Sequence, residues 1–310
     1  MDFKLFISLL FLVFTLLVSC SQKNLDIHSP STEEATFLLA DPELEISLIA
    51  SEPDIISPVD MTWAPDGALY VVEMTGYPVI EGKGKVKKLT DRDGDGKYTM
   101  ESTFVDNLNF PVSAMYYQGG ILVADAPHIY FFLDTDNDGV ADQKEIFITG
   151  SVAGNQQQRA NSLQWGLDNW IYGANGRAGG SLRYGDDTTR VTIDSRDFRA
   201  NPKQQKIEAI SGFSQFGLAM DNWGNRFTSY NHRFARQVVL EEQHLARNPA
   251  LTTSAVFDTY QSEHDRRVWT LLTGTMRFNR DPIGYFTSLS GLTAYRGELL
   301  GPVYDGVNLT

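Results

Sequence analysis

The sequence predicts an all-β protein, specifically a β-propeller. Three observations carry this: a strand–turn–strand motif that recurs along the chain, turn residues in each copy that accept positive φ, and the scarcity of amphipathic helix. The copies are Met61–Val72, Ala114–Ala124, Leu163–Ala174 and Leu218–Ser229, with a weaker fifth at Leu292–Gly301. Their turn residues Gly67, Gly119, Asn169 and Gly224 are spaced by 52, 50 and 55 residues, and Gly297 lies 73 further on. Gly and Asn suit tight hairpins because they accept the left-handed backbone. A period near fifty with several strands per unit fits propeller blades, and a β-sandwich is the alternative.

Five blade starts are present, and a ring must close to hide its strand edges. Six blades are therefore expected in the complete protein, with roughly a hundred further residues at this period. The chain is expected to be a piece of that protein. Val238–Leu245 is expected to hold one short turn of helix.

Ahead of the repeats, Lys4 precedes an apolar run, Leu5–Val18, broken only by Ser8 and Thr15. At 14 residues the run is short for a membrane span and sits where a signal peptide's apolar region sits. Its end, Leu17–Cys20, resembles a bacterial lipobox, whose cysteine is acylated. Residues 1–20 are thus expected to be a lipoprotein signal peptide, 21–42 a flexible tether and 43–310 the propeller. Acyl chains on Cys20 would anchor the protein to a membrane. Ser21, where Asp would favour inner-membrane retention, points to the outer membrane of the cell envelope.

Cys20 is the sole cysteine, so neither an internal disulfide nor a thiolate metal site is expected. With 26 basic and 39 acidic residues the net charge is −13, which repels nucleic acid.

Part of the acidity lies in two loops. Asp134–Glu145 follows the twelve-residue calcium pattern: oxygen ligands at Asp134, Asp136, Asp138, Asp142 and Glu145, with Gly139 at the sharp turn. Asp91, Asp93, Asp95 and Gly96 repeat its first half, but position twelve is Ser102, with Glu101 one place short. The second loop is therefore the stronger candidate. Both follow strand-like runs, so structural calcium sites in hairpins are expected rather than helix–loop–helix sensors. Asp/Gly turns bonded to their own backbone are the alternative.

Phe104–Ser113, Val123–Gly150, Asn155–Gly180, Ser211–Arg233 and Gly291–Leu300 together resemble the bacterial membrane-bound dehydrogenase family. That family's propellers are distantly similar to the quinoprotein glucose/sorbosone dehydrogenases. The resemblance implies an oxidoreductase acting on a sugar or polyol, pyrroloquinoline quinone as cofactor, and a cytochrome c or other electron-transfer partner. In the sorbosone pattern a general-base His falls here on Gln158, and its Arg on Ser162. The Arg-Asn pair that holds the quinone carboxylates falls on Phe213 and Ser214. Glutamine cannot take a proton near neutral pH. Neither Phe nor Ser replaces a bidentate guanidinium.

Other polar groups near the repeats could build a site: Arg159, Asn161, Asn175 and Arg177 by the third copy, Asn231, His232 and Arg233 by the fourth, and His128 by the second. His232, Arg159, Arg177 and Arg233 are the candidate catalytic residues, His232 being the one that titrates near neutral pH. Trp63, Trp165, Trp170 and Trp223 are expected to pack in the core or turns. Two functions follow. One is a quinone-dependent sugar dehydrogenase, and the other a non-catalytic propeller that binds a glycan or an envelope protein.

Overall fold

Runs of β-branched and aromatic residues, punctuated by Gly, Asp and Asn, fold into successive antiparallel meanders in the computed structural model. It describes residues 39, 41–260, 262, 267 and 288–309. The predicted signal peptide, its Cys20 and most of the tether lie outside the described residues. The chain divides into two units, Met1–Leu48 and Ile49–Thr310, and every sheet among the described residues belongs to the second.

The first sheet runs in order through β1 (Pro58–Trp63), β2 (Leu69–Glu73), β3 (Gly84–Thr90) and β4 (Thr99–Leu108). The second does the same through β5 (Ser113–Tyr117), β6 (Gly120–Asp125), β7 (His128–Leu133) and β8 (Gln143–Ser151). The third begins with β9 (Asn161–Trp165) and β10 (Ile171–Ala174). The chain then crosses to the second sheet as β11 (Gly180–Tyr184) and β12 (Val191–Thr192), which lie outside β8, and returns as β13 (Asp197–Asn201) and β14 (Lys206–Ile210). The fourth sheet is β15 (Leu218–Met220), β16 (Arg226–Tyr230), β17 (Arg233–Val238) and β18 (Val256–Asp258). A single helical turn, α1 (Glu242–Leu245), falls within the expected segment.

The first strands of the sheets meet in sequence: β1 touches β5, β5 touches β9, and β9 touches β15. β15 in turn touches β19 (Thr293–Ala294). Four-stranded meanders stacked through their first strands are the blades of a β-propeller, as the repeats predict. The hairpin turns are left-handed where expected, with φ of 87° at Gly67, 89° at Gly119, 61° at Asn169 and 81° at Gly224.

The fifth copy departs from its expected form. β19 pairs with β20 (Asn308–Leu309), so the partner strand arrives later than Glu298–Gly301. The Tyr295 hydroxyl instead accepts the Leu300 amide at 2.8 Å, and Gly297 is not left-handed.

The core lies between sheets. Phe104, Val86 and Val72 of the first sheet pack with Ile121 and Val123 of the second. Leu122, Ile129 and Ile148 of the second pack with Ile171 and Phe198 of the third. Each such fully buried side chain contributes about 1.5–3 kcal/mol. Close packing also explains Gly173, where an added Cβ would lie 2.2 Å from the Phe198 ring. Among the described residues no helix is long and apolar enough to cross a membrane.

Candidate functional site: the cleft at the starts of the inner strands

One register position, at or near the start of each inner strand, carries a polar residue in three of the four blades. Asp60, Ser113 and Ser162 occupy this place in the first three blades, and Gly217 occupies it in the fourth. These side chains clasp successive blades. Asp60 Oδ2 accepts the Ala114 amide at 2.9 Å, and Ser113 Oγ accepts the Leu163 amide at 3.2 Å. Ser162 Oγ accepts the Gly217 amide at 3.0 Å. Gly217 has φ of +98°, and a Cβ there would lie 2.7 Å from Ser229 Oγ. Ser162 is itself left-handed at φ +54°, a conformation that costs a non-glycine residue free energy and recurs at functional sites.

These strand starts ring a cleft of about 660 Å³. Its polar lining is Asp60, Gln156, Gln157, Asn161, Ser162, Gln215 and Asn231, with hydroxyls from Ser57, Ser288 and Ser290. Tyr77 and Phe216 supply rings. Buried Asn161 is fixed by its own bonds: Nδ2 donates to the carbonyls of Arg159 and Gln215 at 2.8 and 2.7 Å, and Oδ1 accepts Ser162 Oγ at 2.7 Å. Gln215 Oε1 accepts the Asn231 amide at 3.2 Å, and Asn231 Oδ1 accepts the Ser288 amide at 3.1 Å. Burial pushes the Asp60 carboxyl up from the usual carboxylate range, against the hydrogen bonds from Ala114, Ser113 and Met61.

The expected catalytic residues are not gathered into one group. Arg177 stacks over Tyr230 at 5.0 Å, and His232 meets the same ring edge-on at 5.5 Å. Both therefore sit by the β16–β17 turn, whose Asn231 lines the cleft. Arg159 is 4% exposed and packs over Phe110 at 5.2 Å, where burial lowers its pKa. Arg233 is ion-paired to Asp258 and donates to the Tyr260 hydroxyl at 3.0 Å. Asn175 is wholly buried, holding the Ile193 and Arg196 carbonyls. His128 lies against Tyr130 at 5.1 Å, its pKa lowered by burial and then by Lys144.

Trp63 and Trp165, the last residues of β1 and β9, and Trp223 in the β15–β16 turn are exposed rather than core residues, while Trp170 lies under the Arg199 guanidinium at 4.4 Å. None of the four lines the cleft. Asp60 and Gln215 escaped the sequence reading. The signal for Asp60 was its register with Ser113 and Ser162 when the copies are stacked.

Both acidic loops are hairpin turns, β3–β4 and β7–β8. Asp91, Asp93 and Asp95 bring carboxylate oxygens within 4.8 Å of one another, as do Asp134, Asp136 and Asp138. Gly96 and Gly139 are left-handed, and their amides bond to Asp91 and Asp134 at 3.0 and 2.8 Å. Asp142 and Glu145 lie outside the triad. Asp142 accepts the Thr135 hydroxyl at 2.6 Å, and Glu145 accepts the Gln143 side-chain amide. Likewise Glu101 pairs with Lys88 and Arg92, and Ser102 donates to the Gly139 carbonyl, which ties the two loops together.

Blades and cleft define a β-propeller with a polar, amide-lined cleft by the starts of its inner strands. The chain belongs to the family described as a domain of unknown function (DUF7133), whose model matches residues 30–310. No curated protein is similar to it in sequence.

Among solved structures it is similar to the holo PQQ domain of pyranose dehydrogenase from Coprinopsis cinerea. That similarity has 12% identity and a TM-score of 0.41, over 62% of this chain and 50% of that one. The chain thus spans about half the length of that relative. It is also similar to the PQQ-bound aldose sugar dehydrogenase from Streptomyces coelicolor, with 13% identity and a TM-score of 0.44, over 78% of this chain and 73% of that one. A Bacteroides thetaiotaomicron protein of unknown function gives 8% identity and a TM-score of 0.35, over 78% and 65%. The activities and cofactor in these names belong to those proteins.

The residues standing where quinone ligands are expected do not fit that group. Phe213 packs toward Tyr230 with ring centroids 6.4 Å apart, and the Ser214 hydroxyl is spent on buried Asp197 at 2.6 Å. Among the described residues, the cleft lining holds no Arg, Lys or His to meet the quinone carboxylates.

Proposed function

We propose that this chain is a carbohydrate-binding propeller of the cell envelope, whose cleft takes a sugar or polyol. The observation that carries the reading is the lining itself. Amides and hydroxyls surround one carboxylate beside two aromatic rings, with no cation among the described lining residues. Side-chain amides donate and accept in fixed directions, as ring hydroxyls require, and a ring face covers the apolar side of a sugar. Asn161 and Asn231 are already fixed by protein bonds, so little ordering is left to binding.

The lipobox-like end at Cys20 supports export and lipid anchoring, with Ser21 favouring the outer membrane. The triads at Asp91–Asp95 and Asp134–Asp138 support structural calcium.

A second reading is oxidation of the same sugar by a quinone, with electrons passed to a cytochrome c or similar partner. It is favoured by Arg177 and His232 meeting on Tyr230 beside the cleft. A glycan array, together with pyrroloquinoline quinone titration and dye-reduction assays over a sugar panel, separates the two. Glycan binding without quinone binding is the expected result. Quinone binding with turnover that falls roughly 10²–10⁴-fold in His232→Ala would make the protein an oxidoreductase.

A further inference from the structure

The clasp between inner strands needs only a side-chain acceptor. Neutral hydroxyls perform it at Ser113 and Ser162, for the amides of Leu163 and Gly217. The first blade carries a carboxylate in that place, so Asp60 adds a charge the clasp does not require. Its Oδ1 accepts the Met61 amide at 2.9 Å, its Oδ2 accepts the Ala114 amide, and the Ser113 hydroxyl donates to it as well. An ionised carboxylate offers about four lone-pair sites, so these three donors leave capacity for one more.

Asp60 is the one carboxyl among the described residues of the lining, which hold no Arg, Lys or His. A shielded charge without a counter-ion costs free energy, and a ligand bringing the opposite charge recovers it. A neutral hydroxyl supplies a hydrogen bond but no charge. The side chains of Gln157, Gln215 and Asn231 share the cleft with Asp60 and suit the remaining hydroxyls of a pyranose.

We infer that the cleft selects an amino sugar, a hexose carrying an ammonium in place of one hydroxyl, with that ammonium on the Asp60 carboxylate. The inference rests on the reading of the cleft as a sugar site.

Isothermal titration of the 310-residue chain with glucosamine, glucose and N-acetylglucosamine tests it. Glucosamine should bind at least about ten-fold more tightly than the other two, the usual worth of a charge-assisted bond. Acidification through the Asp60 range should remove that advantage, because the protonated carboxyl carries no charge, while glucose binding stays flat. Ser113 on β5 bonds Asp60, and Tyr77 after β2 and Asn161 and Ser162 on β9 line the same cleft. None of these changes charge in acid. Glu73 on the neighbouring strand is held by Lys87 at 3.2 Å.

Asp60→Asn, which keeps an acceptor for Ala114, should equalise the three affinities. If that variant fails to fold, the wild-type pH series decides. Equal wild-type affinity for glucosamine and glucose overturns the amino-sugar selectivity and leaves the sugar site standing. Absence of binding to all three sugars overturns both.

Discussion

The carboxylate of Asp197 accepts the Ser214 hydroxyl at 2.6 Å, and both residues are completely shielded from solvent. Asp197 also accepts the Ser214 and Asn175 amides at 3.0 and 2.9 Å, which joins the third blade to the segment leading into β15. Asp197→Ala strands two buried amides and a hydroxyl, so it should lower unfolding free energy by about 3 kcal/mol or more. Denaturant titration would show the loss, and a variant within about 0.5 kcal/mol of wild type would contradict it.

Burial holds the Asp197 carboxyl above the ordinary carboxylate range, although its hydrogen bonds and Arg226 oppose the shift. Between the ordinary value and the raised one, the folded protein keeps a proton that the unfolded chain has released. This group's contribution to stability therefore falls as pH rises through that window. The slope should flatten in Asp197→Asn, measured as melting temperature against pH from the acid side.

Ser113 and Ser162 clasp different pairs of blades. Replacing either by Ala leaves one strand amide without its acceptor and should cost about 1 kcal/mol. The Leu163 amide that Ser113 holds directly follows Ser162, so the two sites are neighbours and the double variant should depart from the sum by about 0.5 kcal/mol or more. A strictly additive double variant would mean that the two interfaces open independently.

Calcium should raise the melting temperature, by the equivalent of about 2.7 kcal/mol at a hundred times its dissociation constant. Asp136→Ala should abolish most of that gain, and Asp93→Ala less of it. Melting curves indifferent to both calcium and chelator would leave Asp134–Asp138 and Asp91–Asp95 as turns bonded only to themselves.

Cys20→Ser should move the protein from the membrane to the soluble envelope fraction and remove the acyl mass from its N-terminus. Wild-type protein without acyl mass, and retention unchanged in the variant, would end the lipoprotein reading.

Much of the fold was legible because a blade writes itself locally. The short apolar runs in Leu69–Glu73 or Ile121–Asp125, and a residue able to turn left-handed ahead of each, need no distant information. The fifth copy misled for the same reason. Tyr295–Gly301 looks like a hairpin, but β19 takes its partner from Asn308–Leu309. The candidate site was less legible. Arg159 and Arg233 looked available in the sequence, yet Phe110 holds one and Asp258 the other.

By itself the sequence determined the all-β class, the blade period and the acidic hairpins, because each depends on residues close together in the chain. Only the tertiary structure decided that β11 and β12 join the blade before their own, and that Asp60, Asn161, Gln215 and Asn231 share one cleft. Those residues come from different blades, 54 residues apart in the case of Asn161 and Gln215. Stacking of the inner strands brings them together, and no local pattern along the chain encodes that meeting.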